Sequence, residues 1–350
     1  MNTVTVRASK TYDIKIGPGL LQTLGQEVAA LGGVERVCIV SDSHVYPLFG
    51  KTAEKCLKDS GFIPSSFVFP AGEEQKNGTV FLELLNTLAR HQLTRSDLVV
   101  ALGGGVIGDL AGFAASCYLR GIRFVQIPTT LLAAVDSSVG GKCAIDLDAG
   151  KNLAGAFYQP SAVLCDTDTL STLPATVFAD GCAEIIKYGV LFDEALFSQL
   201  EQEGLDFQRE KVIARCVELK RNVVEEDEFD TGKRQLLNLG HTIGHAIEKE
   251  SHYRISHGHG VAIGMCIIAK AAAAHRECEA LAVQRLHDLL SRFTLPTSAT
   301  ATAQALMVHI RSDKKCSDSR ITLVLPATIG CCQLKKLPIS QLETYIKAGM

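Results

Sequence analysis

His241 and His245 stand four residues apart in LNLGHTIGHAIE, so a helix would carry both imidazoles on one face. His257 and His259 follow in SHGHG, and Glu184 precedes them in DGCAEIIKYG with Lys187 one turn on. Histidines and a carboxylate from separate segments suit a catalytic zinc with three protein ligands and an open position. Thr242 follows His241, so the H-E-x-x-H pattern of zinc proteases is absent. Lys187, Lys220, Arg234 and the Asp313-Lys314-Lys315 run spread positive charge through the same region. Alone, each is an ordinary surface charge. In company with Asn238 and the metal candidates they favour an anionic substrate.

A second chemical signal runs from Val135 to Pro160, VDSSVGGKCAIDLDAGKNLAGAFYQP. Asp136, Lys142, Lys151 and Asn152 sit there among glycines and alanines. Such a stretch is poor core material, but it suits a wall that approaches phosphates closely. Upstream, Leu98–Leu102 followed by Gly103-Gly104-Gly105-Val106-Ile107-Gly108-Asp109 reads as strand, tight turn and helix start. That arrangement suits a pyrophosphate, although the spacing is not G-x-G-x-x-G and a purely structural turn is the rival reading. Asp42 follows an apolar run and is placed to hold a ribose hydroxyl or to form an Asp-Ser turn. Glu73 and Lys76 in PAGEEQKN are placed to flank an adenosine or to form a solvated loop.

These residues need elements to position them. Val37–Val40, Leu98–Leu102, Phe124–Ile127 and Val163–Cys165 read as strands, with helical patterns such as Val80–His91 between them. The rhythm predicts a parallel sheet with crossover helices, preceded by a ribbon at Tyr12–Ile16. After Leu173-Pro174 strand signals almost vanish until Ile321–Leu325, while Val212, Cys216, Leu219 and Val223 form a helical stripe. Val261–His275 also reads as helix. The expected organisation is an α/β nucleotide-binding domain over residues 1–175 and a mainly α-helical metal- and substrate-binding domain over residues 176–350.

The 350 residues are 47% hydrophobic and 21% charged, an ordinary globular composition, and the net charge of -3 argues against a nucleic-acid partner. None of the 12 cysteines forms a C-x-x-C pair, and most lie in apolar runs, as reduced thiols of a cytoplasmic protein would. MNTVTVRASKTYDIKIG has no apolar signal-peptide core. Leu98–Leu119 is long and apolar, but its three consecutive glycines and Asp109 fit strand, turn and helix better than a membrane span.

Taken in order, GGGVIGDLAGFAAS, YLRGIRFVQIPTTLLAAVDSSVGGK, GKNLAGAFYQP, AEIIKYG, LNLGHTIGHAIE and HGHGVAIGM resemble the 3-dehydroquinate synthase family over essentially the whole chain. The resemblance implies metal ligands at Glu184, His241 and His257, with Zn2+ or Co2+ as the ion. It implies substrate contacts at Asp136, Lys142, Asn152, Lys187, Lys220, Arg234, Asn238 and His245, and at Lys314 or Lys315. Arg120 corresponds to an arginine that reaches across a homodimer. NAD would be held by Asp42, Glu73, Lys76, Gly104, Gly105, Val106, Asp109, Thr129, Thr130, Lys142, Lys151, Thr169 and Thr172. Two departures stand out. The family commonly reads HGE where this chain has His257-Gly258-His259, which makes His259 a rival ligand, and it often has Asn where this chain has His44.

The implied activity is a carbon–oxygen lyase reaction of aromatic amino acid biosynthesis. A sugar-acid phosphate, 3-deoxy-D-arabino-heptulosonate 7-phosphate, becomes 3-dehydroquinate and phosphate. The rival readings are an NAD- and metal-dependent polyol dehydrogenase, another sugar-phosphate cyclase, and a nucleotide-sensing module without catalysis. A polyol dehydrogenase has no need of the anion-binding set and would release NADH.

Overall fold

The computed structural model describes residues 1–311 and 320–350. Lys314 and Lys315 lie outside the described residues. By contacts the chain divides into two units.

The first unit opens with β1 (Asn2–Arg7), β2 (Thr11–Gly17) and α1 (Leu24–Ala30). Next come β3 (Arg36–Asp42), α2 (Lys51–Asp59), β4 (Ile63–Phe69), α3 (Gly78–Arg90), β5 (Leu98–Gly103), α4 (Gly105–Cys117) and β6 (Arg123–Pro128). A hairpin of β7 (Lys142–Leu147) and β8 (Gly150–Phe157) precedes β9 (Ala162–Asp166). Seven strands pair in the order β1-β2-β9-β6-β5-β3-β4. Only β1 and β2 run antiparallel.

Every residue of β5 is buried, because helices cover both faces of the sheet. Val37, Ile39, Leu98, Val100 and Leu102 pack on one face with Leu24, Val28, Ala53 and Leu57 from α1 and α2. Cys38, Val40, Val99 and Ala101 point the other way, against Leu84, Leu88, Ile107, Leu110 and Ala114 of α3 and α4. The period of two along each strand thus feeds two cores.

Just before β5, buried Asp97 ties the sheet together. Its Oδ1 accepts from Glu35 N at 3.2 Å and Arg36 N at 2.8 Å; its Oδ2 accepts from Thr94 N at 2.6 Å and Thr94 Oγ1 at 2.8 Å. Burial opposes its charge, but these four donors outweigh burial and hold the carboxyl below the usual Asp range. A depressed carboxylate stabilises the fold above its unfolded pKa, and that stability is lost as pH falls through the folded one. Asp97→Ala is therefore expected to cost about 2–4 kcal/mol at neutral pH in urea unfolding, and the deficit should shrink in acid below pH ~4. A deficit of equal size at both pH values would rule out the charge as its source.

The second unit begins with α5 (Ala175–Phe192) and α6 (Glu194–Glu203). The chain then returns to the first unit for α7 (Arg209–Glu226), which corrects the expected single boundary at residue 175. The stripe Val212, Cys216, Leu219 and Val223 is buried against the β1–β2 side. At the helix end Glu225 accepts from Arg7 N at 2.6 Å and Glu228 from Ser9 N at 2.8 Å. A helical stripe shows that a helix packs; it does not show on what.

From Asp230 the second unit resumes with α8 (His241–Glu250), α9 (His257–Ala274), α10 (Ala280–Arg292) and α11 (Ala303–Arg311). It closes with the hairpin β10 (Arg320–Thr328) and β11 (Cys331–Pro338), then α12 (Ile339–Lys347). The apolar stretch foreseen from Val261 to His275 lies in α9 up to Ala274, with His275 as the helix cap. Helices α8 and α9 meet backbone to backbone. A methyl at Gly264 would lie 2.1 Å from Gly240 O, and one at Gly260 would lie 3.0 Å from Gly244 O. Side chains at those positions would hold the helices apart.

No helix among the described residues is long and apolar enough to cross a membrane. Leu98–Leu119 is divided between β5, the glycine turn and α4. Burial pushes the Cys38 thiol up to about 11 and the Cys165 and Cys266 thiols up to about 12, as inert core thiols require.

Candidate active site

In the first unit the candidate nucleotide residues gather at one edge of the sheet, following the carboxyl ends of parallel strands. Asp42 ends β3, Glu73 and Lys76 follow β4, Gly104 to Asp109 follow β5, Thr129 and Thr130 follow β6, and Thr169 and Thr172 follow β9. Open α/β sheets bind ligands at this edge, where helix N-termini and unpaired strand ends converge. Helix α4 starts at Gly105, and Thr129 N donates to Gly103 O at 3.0 Å. Gly103 takes φ 157°, and a methyl there would fall 1.9 Å from Ile107 Cδ1. A side chain there would be strained, so the turn favours glycine. Asp42 Oδ1 accepts from His44 N at 2.9 Å and Val45 N at 2.8 Å, so the turn-forming role of this Asp is real. Thr169 and Thr172 donate their hydroxyls to local carbonyls of Asp166 and Thr169.

Lys76 is the hub of this edge. Its ammonium, 3% exposed by residue, lies 3.1 Å from Glu73 Oε1, 3.1 Å from Asp109 Oδ2 and 3.7 Å from Asp146 Oδ1. It also donates to Asn152 Oδ1 at 2.7 Å. Burial opposes the charge on Lys76, but the three carboxylates outweigh it and hold the lysine above its ordinary range. One ammonium cannot satisfy three acids, and burial pushes Asp109 up to about 6 despite the lysine. Lys151 Nζ stands 3.5 Å from Glu73 Oε1. The β7–β8 hairpin, which strand signals in the sequence did not announce, thus brings Lys151 and Asn152 to the nucleotide edge. Asp146 was also unforeseen; it accepts from Asn152 N at 2.8 Å.

Asp136 and Lys220, far apart in sequence, are partners: Lys220 Nζ donates to Asp136 O at 2.6 Å and to its carboxylate. Lys142 begins β7 and is exposed. Arg120 is exposed in a turn where Leu119 and Arg120 both take positive φ, 51° and 66°.

In the second unit three imidazoles cluster. The ring centroids of His241, His245 and His257 lie 5.1 to 5.7 Å apart. His241 Nε2 faces Glu184 Oε1 at 3.7 Å and His257 Nε2 faces the same oxygen at 3.6 Å. Glu184 Oε1 is buried and has no hydrogen-bond partner. These separations are too long for hydrogen bonds. They are close to the ~3.3 Å between ligands of a tetrahedral ion bound at ~2.0–2.1 Å. A buried carboxylate oxygen facing two imidazole nitrogens without bonding either fits a divalent cation between them.

Electrostatics agree. Burial opposes a charge on His257, yet Glu184 and Glu248 outweigh it and push its pKa up to about 10. The pocket therefore stabilises positive charge. Glu184 Oε2 makes an ion pair with Lys187, and both side chains are 1% exposed. Arg234 is buried, and Asn238 Nδ2 donates to Gln235 O at 3.1 Å in the turn before α8.

His259 is not in this cluster. Its Nδ1 lies 2.7 Å from Asp180 Oδ1 and its backbone N donates to the same oxygen at 3.0 Å. Ser256 Oγ donates there as well, at 2.7 Å. His259 and Asp180 thus secure the start of α9, and His257 is the ligand candidate. His259→Ala is expected to leave zinc stoichiometry and affinity unchanged in a chelator competition titration. A loss of zinc would restore it as the rival.

The architecture is that of the sugar-phosphate cyclase class. A crystal structure of 2-deoxy-scyllo-inosose synthase, complexed with carbaglucose-6-phosphate, NAD+ and Co2+, matches with TM-score 0.90 at 25% identity over 100% of both chains. The 2-epi-5-epi-valiolone synthase of Streptomyces hygroscopicus, with NAD+ and Zn2+ bound, matches with TM-score 0.88 at 26% identity over 98% of both. Within that class, residues 66–180 match the 3-dehydroquinate synthase N-terminal domain and residues 181–316 the C-terminal domain. A 3-dehydroquinate synthase of Clostridium acetobutylicum is 40% identical over 343 residues, covering 96% of each chain. The chain belongs to the 3-dehydroquinate synthase family, and it is an enzyme.

Proposed function

We propose that this chain converts 3-deoxy-D-arabino-heptulosonate 7-phosphate into 3-dehydroquinate and phosphate, with NAD and Zn2+ or Co2+ as cofactors, and acts as a cytoplasmic homodimer. The observation that carries the reading is the buried carboxylate of Glu184 facing the Nε2 atoms of His241 and His257, in a chain 40% identical to a 3-dehydroquinate synthase. Related cyclases bind NAD+ with Co2+ or Zn2+. When bound, NAD supplies a reversible hydride acceptor and the ion a Lewis acid beside the substrate hydroxyls.

The residues do the rest. Glu184, His241 and His257 would hold the ion. The edge from Asp42 to Thr172, with Val106 in the first turn of α4, would hold the nucleotide. His245, whose ring lies 5.5 Å from that of His241, is assigned to move the proton of the substrate hydroxyl. Asp136, Lys142, Asn152, Lys187, Lys220, Arg234, Asn238 and Arg120 are assigned to the substrate, the cations among them to its carboxylate and phosphate. Holding both anions fixes the carbon chain for phosphate elimination and ring closure, an orientation effect. The leaving phosphate can take the acidified proton itself, so no separate base is required.

The test is phosphate release from that substrate with added NAD, before and after chelation, while absorbance of NADH is followed. Chelator-sensitive release without net NADH is expected. NADH accumulation from a simple polyol, with no phosphate released, would overturn the reading in favour of a dehydrogenase.

A further inference from the structure

The candidate metal centre rests on three ligands, yet the residue that fixes the orientation of one of them is a fourth. Glu248 lies on α8, seven residues after His241 and three after His245, so it falls on the same helix face. It is 2% exposed. Its Oε1 lies 2.9 Å from Nδ1 of His257, on the opposite side of the ring from the Nε2 that faces Glu184. A carboxylate accepting from Nδ1 requires the proton there. With Nδ1–H held by Glu248, Nε2 is the nitrogen left to give up its proton to a cation placed between it and Glu184 Oε1.

We propose that Glu248 is a positioning residue: it holds His257 in the orientation and tautomer that a divalent cation needs. The inference rests on the metal-centre reading above. Glu248 as a direct ligand is the competing arrangement, since His245, Glu248 and His257 also offer ligand atoms within 4.8 Å of one another. The 2.9 Å contact decides against it. That is a hydrogen-bond separation, shorter than the ~3.3 Å between two ligands of one tetrahedral ion.

The helix seam is built around this contact. A methyl at Gly260 would lie 3.3 Å from Glu248 Cγ, so the glycine of α9 leaves room for the glutamate stem of α8. Beyond α8, Glu248 O accepts from Tyr253 N at 2.8 Å and from Ser251 Oγ at 2.9 Å, which fixes the helix end that carries the carboxylate. A buried carboxylate is costly to keep in a core, and apolar residues would pack a helix seam at lower cost. Carboxylates that hold ligating histidines commonly contribute 10–100-fold in metal affinity.

Zinc affinity is to be measured on the full-length chain after stripping with a chelator, by competition with a chelating indicator, and the visible spectrum recorded with Co2+. Glu248→Ala should bind zinc about 10–100-fold more weakly at unchanged stoichiometry, with an altered Co2+ spectrum. Glu248→Gln, which keeps an acceptor for Nδ1–H, should fall between wild type and alanine. Should the alanine variant fail to fold, the glutamine variant decides: weakened zinc binding supports the proposal. Wild-type zinc affinity and Co2+ spectrum in the variants would overturn it, even if their thermal stability dropped. Absence of zinc binding by the wild type would overturn the metal centre itself, and this proposal with it.

Discussion

Gly264→Ala is expected to destabilise the helical unit by about 3 kcal/mol and to weaken zinc binding with it. The added methyl would lie 2.1 Å from Gly240 O and 3.0 Å from Gly244 N, and both are backbone atoms that no rotamer change can move. Helices α8 and α9 would have to separate. His241 lies on one and His257 on the other, so the two nitrogens that face Glu184 would part from each other. Urea unfolding and a zinc titration on the same preparation would read both losses. Gly78→Ala supplies the contrast: it opens α3, nothing lies within 4 Å of its new methyl, and a gain of roughly 0.4–1 kcal/mol is expected. Equal effects at the two positions would show that close approach of the helices is not what Gly264 provides.

Glu184→Gln is expected to abolish activity and weaken zinc binding by more than about 100-fold, beyond the loss seen for outer-sphere carboxylates. The amide keeps the volume and removes the charge. It also removes the carboxylate charge paired with Lys187, which is 1% exposed, and the metal-free protein should lose stability in urea unfolding. Glu184→Gln/Lys187→Met removes both charges and should recover part of that stability without recovering zinc. Metal content by atomic absorption and unfolding in urea separate the two effects. Stoichiometric zinc in the glutamine variant would remove Glu184 from the ligand set.

Much of this was legible in the chain before any coordinates. Periodicity marked β3, β5, β6 and β9 and the helices α3 and α9, because buried parallel strands and long apolar helices write strong patterns. The hairpin β7–β8 did not show itself: its glycines and alanines carry little strand signal, and it is held by Asp146 N donating to Lys76 O at 2.7 Å as well as by its own ladder. Strand β11 reads CCQLKKLP and is largely exposed, so no apolar run announced it.

Among the site residues, Glu184, His241 and His257 were named in advance and converge. The choice between His257 and His259 needed Asp180, a residue 79 positions away in sequence from His259. Glu248 passed unnoticed although its spacing from His245 is a single helical turn, because a lone acid after a histidine pair is usually a solvated one.

The return of α7 to the first unit has a consequence for how the molecule is made. The chain crosses between the units at Leu173–Pro174, Gln208–Arg209 and Phe229–Asp230. A fragment ending at Leu173 would therefore leave uncovered the β1–β2 surface on which Val212, Cys216 and Val223 pack. During synthesis the nucleotide-binding unit cannot close its core until residue 229 has left the ribosome, by which time α5 and α6 are already outside. The two units therefore cannot mature strictly one after the other. Truncation at the visible change in sequence character should yield an aggregation-prone product, whereas a piece joining 1–173 directly to 209–229 would hold the whole core.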